Sequence, residues 1–131
     1  VEGAKGTLPG LDTASLGDFT DRLLEIDPDL TEFSYAAESY DAVVLLALAA
    51  LAANSTVGSD IAGKLQEVSG GSGDGEKATD FASAAQIILD GGVVDYDGNS
   101  GPITFDENGD PTEATIGVFE YGADNKYTRI N

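Results

Sequence analysis

The sequence predicts an α/β chain in which helices come first and short strands last, and three observations carry that prediction. Residues 42–53 form an almost unbroken apolar run, AVVLLALAALAA, which is the length of a buried helix. On either side of it apolar residues recur at the three- and four-residue spacing of amphipathic helices. Beyond Gly91-Gly92 the spacing falls to two, the period of strands.

The opening residues 1–9, VEGAKGTLP, have weak strand character interrupted by Gly3 and Gly6, and Pro9-Gly10 closes them in a turn or crossover. Ser15 stands three residues before Asp18, a spacing like that of a capping box, and Leu16, Phe19, Leu23 and Ile26 make the stripe of a first helix. That helix should end before Asp27-Pro28, because the residue preceding proline avoids the α region. Residues 29–33 are a linker.

Residues 35–53 hold the helix around which the chain is organised. Its twelve apolar residues fall short of the roughly 20 that cross a bilayer, so it is read as buried on nearly all sides by protein. The remaining chain supplies only thin amphipathic segments and a few strands. Cover for this helix is therefore expected from beyond these residues.

A polar break at Asn54-Ser55 precedes a short helix with Ser59 as N-cap and Ile61, Leu65 and Val68 on one face. Residues 69–75, SGGSGDG, read as a loop: no Gly-Lys-Ser/Thr follows to make a phosphate cradle, and the local charge is negative. A further helix runs from Thr79, as N-cap, to Leu89 with Phe81, Ala85 and Ile88 as its stripe. Strands are expected over residues 93–96, 103–105, 115–121 and 126–130, with a tight turn at Asn108-Gly109.

Composition excludes several function classes. With 24 acidic against 6 basic residues the formal net charge is −18, so a nucleic acid or an anionic membrane surface would be repelled. The acids read as a solvated surface, with cation binding or salt adaptation as the sharper alternative. The absence of histidine and cysteine removes Ser-His-Asp triads, Cys-His pairs, thiolate chemistry and most zinc sites. The chain begins at Val1 without a charged-then-apolar leader, which reads as a mature or trimmed piece.

Two groups of residues could bind a ligand. Asp95, Asp97, Asn99 and Asp106 nearly match the oxygen positions of a calcium loop, but Ser100 stands where the loop needs glycine and an aspartate replaces its bidentate glutamate. Turn chemistry accounts for them better. Tyr35, Glu38 and Tyr40 stand at the entry of the central helix, where a ring and a carboxylate could wall a pocket for a small zwitterion. The alternative is plain packing for the tyrosines and a dipole contact for Glu38. Asp41 reads as a structural first-turn acid. Many carboxylates make a chance pair certain, and no enzyme activity and no cofactor are expected.

The segments AESYDAVVLLALAA (residues 37–50), GNSGPITFDENGD (98–110) and IGVFEY (116–121) resemble, in that order, the C-terminal part of the branched-chain amino acid substrate-binding proteins. These are the type I periplasmic binding proteins of ABC importers. The resemblance implies an α/β fold, the C-terminal fragment of a two-lobed Venus-flytrap. Residues 1–9 would be the last strand of lobe 2 and a crossover, residues 10–115 the C-terminal part of lobe 1, and residues 116–131 the final crossover with terminal strands. It implies an extracytoplasmic protein that binds a branched-chain amino acid or related small molecule between its lobes and delivers it to the membrane subunits of an importer. Tyr35 falls where the family places an aromatic beside the ligand side chain, and Glu38 stands near it. The family's main anchors, hydroxyl and backbone groups for the carboxylate and an acid for the ammonium, would lie upstream of Val1. This chain should then bind weakly by itself and pair with the rest of its own polypeptide or with further copies of itself. The alternative function is a calcium-dependent extracellular structural module built on the loop from Asp95 to Asp106.

Overall fold

The structure is a computed structural model and describes residues 1–131. It confirms an α/β chain of four helices and five strands: β1 (Lys5–Pro9), a 3₁₀ turn (Thr13–Ser15), α1 (Gly17–Ile26), α2 (Ala36–Ala53), α3 (Gly58–Val68), β2 (Glu76–Ala78), α4 (Phe81–Leu89), β3 (Val94–Tyr96), β4 (Ile116–Tyr121) and β5 (Tyr127–Arg129). These fall into two compact units, one of residues 1–36 with 114–131 and the other of residues 37–113.

The first unit is built on an antiparallel sheet in the order β1-β4-β5. Thr7 lies opposite Val118, and Phe119 opposite Arg129. Across the hairpin Phe119 and Tyr127 meet edge to face at 5.3 Å between ring centroids, and Tyr127 meets Tyr121 at 5.7 Å, the cross-strand contacts that hold a small sheet. Asn131 extends the ladder: its side chain accepts from the Val118 amide at 2.8 Å and donates to the Ile116 carbonyl at 3.0 Å. Helix α1 buries Phe19, while Ile26, expected on the same stripe, is exposed at the last position of the helix. Asp27 takes the extended backbone that Pro28 imposes.

The second unit carries a parallel pair, β2 with β3, joined through α4. Its core gathers Val44, Leu45, Leu48 and Ala49 of α2 with Val68, Ala78, Ala84, Val94 and Tyr96. Those α2 positions recur at helical spacing, so a helix that is apolar all round buries one face against α3, α4 and the strand pair. The opposite face stays open, with Val43 67 % and Leu46 50 % exposed. The strand pair covers more of α2 than the sequence suggested, and less than a helix of this composition demands.

One carboxylate fixes α2 in place. Asp41, 1 % exposed, accepts from the Tyr96 hydroxyl at 2.9 Å and from both the amide and the hydroxyl of Ser100 at 2.6 Å. Burial and this carboxylate together hold the Tyr96 phenol well above its ordinary pKa, in the donating form. Gly98 is required here, since a Cβ on it would collide with the Asp41 carboxylate and the Tyr96 hydroxyl. Asp41 is structural, but through these bonds rather than through the helix dipole alone.

Several local expectations are corrected. Asp80, not Thr79, caps α4, accepting from the Ser83 amide at 3.0 Å. Ser59 lies inside α3, which starts at Gly58 with Val57 at its N-cap position. Ser15 makes no cap for α1: its hydroxyl donates to the Asp12 carbonyl at 2.6 Å, while Asp12 caps the 3₁₀ turn. Residues 103–105 do not form a strand, because the Phe105 amide donates to the buried Ser69 hydroxyl at 3.1 Å and only an isolated bridge to Pro111 remains. Strand β2, not expected from the sequence, exists because β3 offers a partner, a tertiary effect that its sequence EKA does not announce. The turn at Asn108-Gly109 forms as expected, with Gly109 at φ +84° and the Asp106 carboxylate accepting from the Asn108 and Asp110 amides.

Three outcomes check this account by chemical and thermal denaturation. Leu48→Ala should destabilise by about 2–5 kcal/mol through the cavity it leaves, and Leu46→Ser on the open face by under about 0.5 kcal/mol. Asp41→Ala should cost about 2–4 kcal/mol by orphaning the buried Tyr96 hydroxyl and the two part-buried donors of Ser100, and Tyr96→Phe about 1 kcal/mol. Asp80 and Asp106 are held below the usual aspartate pKa, the first mainly by the Ser83 hydroxyl and the second mainly by the Asp110 amide. A depressed folded-state pKa contributes stability that is complete above the unfolded value near 3.9 and is lost as pH falls through the folded value. Stability from these two groups should hold from neutrality down to about pH 4 and decline below it, and Asp80→Ala should flatten part of that decline.

Candidate ligand-binding cleft

The segment leading into α2 is wound into a tight turn. The Ser34 amide and hydroxyl both donate to one Glu32 carboxylate oxygen, at 2.9 and 2.7 Å, and the Ala36 amide donates to the Phe33 carbonyl at 3.1 Å. Those bonds, the Ser34 hydroxyl first, hold the Glu32 carboxyl below its usual pKa. At the apex Tyr35 has φ +62°, the left-handed region that a bulky side chain enters only at a cost of about 1–3 kcal/mol. The ring is nonetheless 46 % exposed, so core packing does not explain the strain.

Tyr35 lines a cleft of about 770 Å³ that lies wholly within the first unit, a volume typical of small-molecule sites. Three further aromatic residues, Phe33, Phe119 and Tyr127, share the lining. So do Lys126 and Arg129. Aromatic walls with a few charged groups suit an amphipathic ligand better than a purely apolar or a purely ionic one.

The cations of the cleft differ from those elsewhere. Lys5 pairs with Glu120 at 3.2 Å, Lys64 with Glu67 at 2.7 Å, and Lys77 with both Asp95 and Asp97. Lys126 and Arg129 make no ion pair. Arg129 donates through Nε to the carbonyl and side chain of Asn131, while its Nη1 is buried without an acceptor.

Of the residues singled out from sequence, Tyr35 is in the cleft and Glu38 is outside its lining, half-buried in the first turn of α2. Tyr40 is 38 % exposed on that helix. Lys126, Arg129 and Phe33 escaped sequence reasoning. The available signal was the ending KYTRI, which holds two of the chain's six basic residues within five positions.

The acids that resembled a calcium loop are otherwise engaged. Lys77 sits between Asp95, at 2.8 Å, and Asp97, which raises the lysine pKa and supplies the positive charge an ion would bring. Asp106 is committed to its own turn. No three acidic side chains gather as a metal site, so the calcium alternative gains no support.

Comparison with curated proteins and with solved structures found no match. A family model described as the receptor family ligand binding region matches residues 12–124, which take in α1 to α4, Tyr35 and strand β4. The chain belongs to this family of ligand-binding regions, whose fold is of the type I periplasmic-binding-protein kind.

Proposed function

We propose that the chain is part of the extracytoplasmic solute-binding component of an ABC importer and takes a branched-chain amino acid or a related small molecule without altering it chemically. The observation that carries this reading is the family match over residues 12–124 together with the strained, exposed Tyr35 at the mouth of an aromatic cleft. Tyr35 would pack against the aliphatic side chain of the ligand. A strained residue with no packing reason for its strain is what a preorganised contact requires. Residues 1–9 would be the last strand of lobe 2 and a crossover, residues 10–115 the C-terminal part of lobe 1, and residues 116–131 the final crossover with terminal strands; the antiparallel pairing of β1 with β4 is in keeping with crossings that run side by side. Lobe closure would couple binding to release at the importer, because contacts made to both lobes favour the closed state.

The test is an amide NMR titration of the chain with leucine, isoleucine and valine, which detects millimolar binding. Shifts centred on Phe33, Tyr35 and Thr128 are expected, and no response to any amino acid at such concentrations would refute the proposal. Tyr35→Gly separates strain from contact: melting temperature should be unchanged or higher, since glycine accepts φ +62° freely, while leucine affinity falls about tenfold.

A further inference from the structure

We propose that Asn54 is the acceptor of an N-linked glycan, carried on the exposed turn between α2 and α3. This rests on the extracytoplasmic location of the reading above, since the transferase that builds such linkages works on chains that have left the cytoplasm. Asn54-Ser55-Thr56 is the Asn-X-Thr pattern it recognises, with no proline at the middle position. None of the other asparagines, Asn99, Asn108, Asn125 and Asn131, has a serine or threonine two positions on. The co-reactant is an oligosaccharide carried on a polyprenyl phosphate. Asn54 Nδ2 bonds to the anomeric carbon of its first sugar while the bond from that carbon to the phosphate oxygen breaks. The lipid phosphate leaves with the electron pair, and one Nδ2 proton passes to a base of the transferase.

Three-residue patterns arise by chance, and the local structure is what singles this one out. Helix α2 ends in a Schellman motif, in which the Asn54 amide donates to the Leu51 carbonyl at 3.0 Å and the Ser55 amide to the Ala50 carbonyl at 3.2 Å. Asn54 takes the left-handed position of that motif, φ +47°, which glycine fills best and asparagine tolerates. The middle residue is tied down: the Ser55 hydroxyl accepts from the Val57 amide at 3.1 Å and donates to the Asp60 carboxylate at 2.7 Å, at the start of α3. Asn54 and Thr56, on either side of it, are exposed, and neither side chain is engaged within the protein. These are the amide that must react and the hydroxyl that the transferase reads. The left-handed backbone accounts for asparagine at 54 but gives no reason for a free threonine at 56. Position adds a reason: residues 42–59 hold no charged side chain, in a chain with 24 acidic and 6 basic residues. The row Val43, Ala47, Ala50 runs at helical spacing toward Asn54, and Val43 is 67 % exposed. A glycan at Asn54 gives the end of this uncharged stretch a hydrophilic cover.

The test is mass spectrometry of the protein purified from the exported fraction of its own cells and digested with trypsin. Cleavage after Arg22 and Lys64 releases residues 23–64 as one peptide, whose only asparagine is Asn54. That peptide should carry the added mass of an oligosaccharide, and the mass should survive alkaline β-elimination, which strips sugars from serine and threonine. Asn54→Gly and Thr56→Ala, produced in the same cells, should each abolish it, and Thr56→Ser should retain part of it. Asn54→Gly suits the left-handed position, so an unchanged thermal melt shows that its loss of sugar is not a loss of fold. An unmodified peptide from exported protein, or sugar that persists in Asn54→Gly, overturns the glycan and leaves the extracytoplasmic reading in place. Protein recovered from the cytoplasm alone, and unmodified, overturns both.

Discussion

Positive charge is scarce in this protein, and that scarcity governs how its polar groups are satisfied. Four acids compete for each base, so every lysine or arginine is a commitment. Lys77 is spent on two neighbouring aspartates, Lys5 ties β1 to β4, and Lys64 braces α3. For Asp41, the most deeply buried carboxylate, no cation was left. It is satisfied instead by hydrogen bonds from one amide and two hydroxyls, whose fixed positions bind α2 to β3 and to the turn at Gly98.

The two units solve the small-domain problem in different ways. The first relies on cross-strand aromatic contacts in a three-stranded sheet and a single well-buried phenylalanine from α1. The second relies on one face of α2 and a hydrogen-bonded carboxylate within its core. Neither is held by a disulfide, since cysteine is absent. The open face of α2, with Val43 and Leu46 presented to solvent, shows that the apolar content of this helix exceeds what its own unit covers.

Helices were the legible part of the sequence, since their stripes are set by local spacing. The caps were not, because serines, threonines and aspartates crowd every helix start and only three-dimensional geometry decides among them: Asp80 prevailed over Thr79, and Ser59 was absorbed into its helix. Strand β2 was invisible for a related reason, since a three-residue EKA becomes a strand only when β3 lies beside it. Residues 103–105 had the right alternation and lost their ladder to a side chain 36 positions away. Of the site, Tyr35 was readable through its place before the helix, whereas its positive φ and the convergence of Phe33, Phe119, Lys126 and Arg129 depend on bringing distant segments together.

The proposed function turns on the cleft being a place where a small ligand with an aliphatic side chain settles against aromatic rings. A crystal structure of the chain grown with leucine tests this most directly. It should place the aliphatic chain against the Tyr35 ring, with Tyr35 still at positive φ. Leucine bound elsewhere, or Tyr35 relaxed to negative φ with its ring away from the ligand, would contradict it.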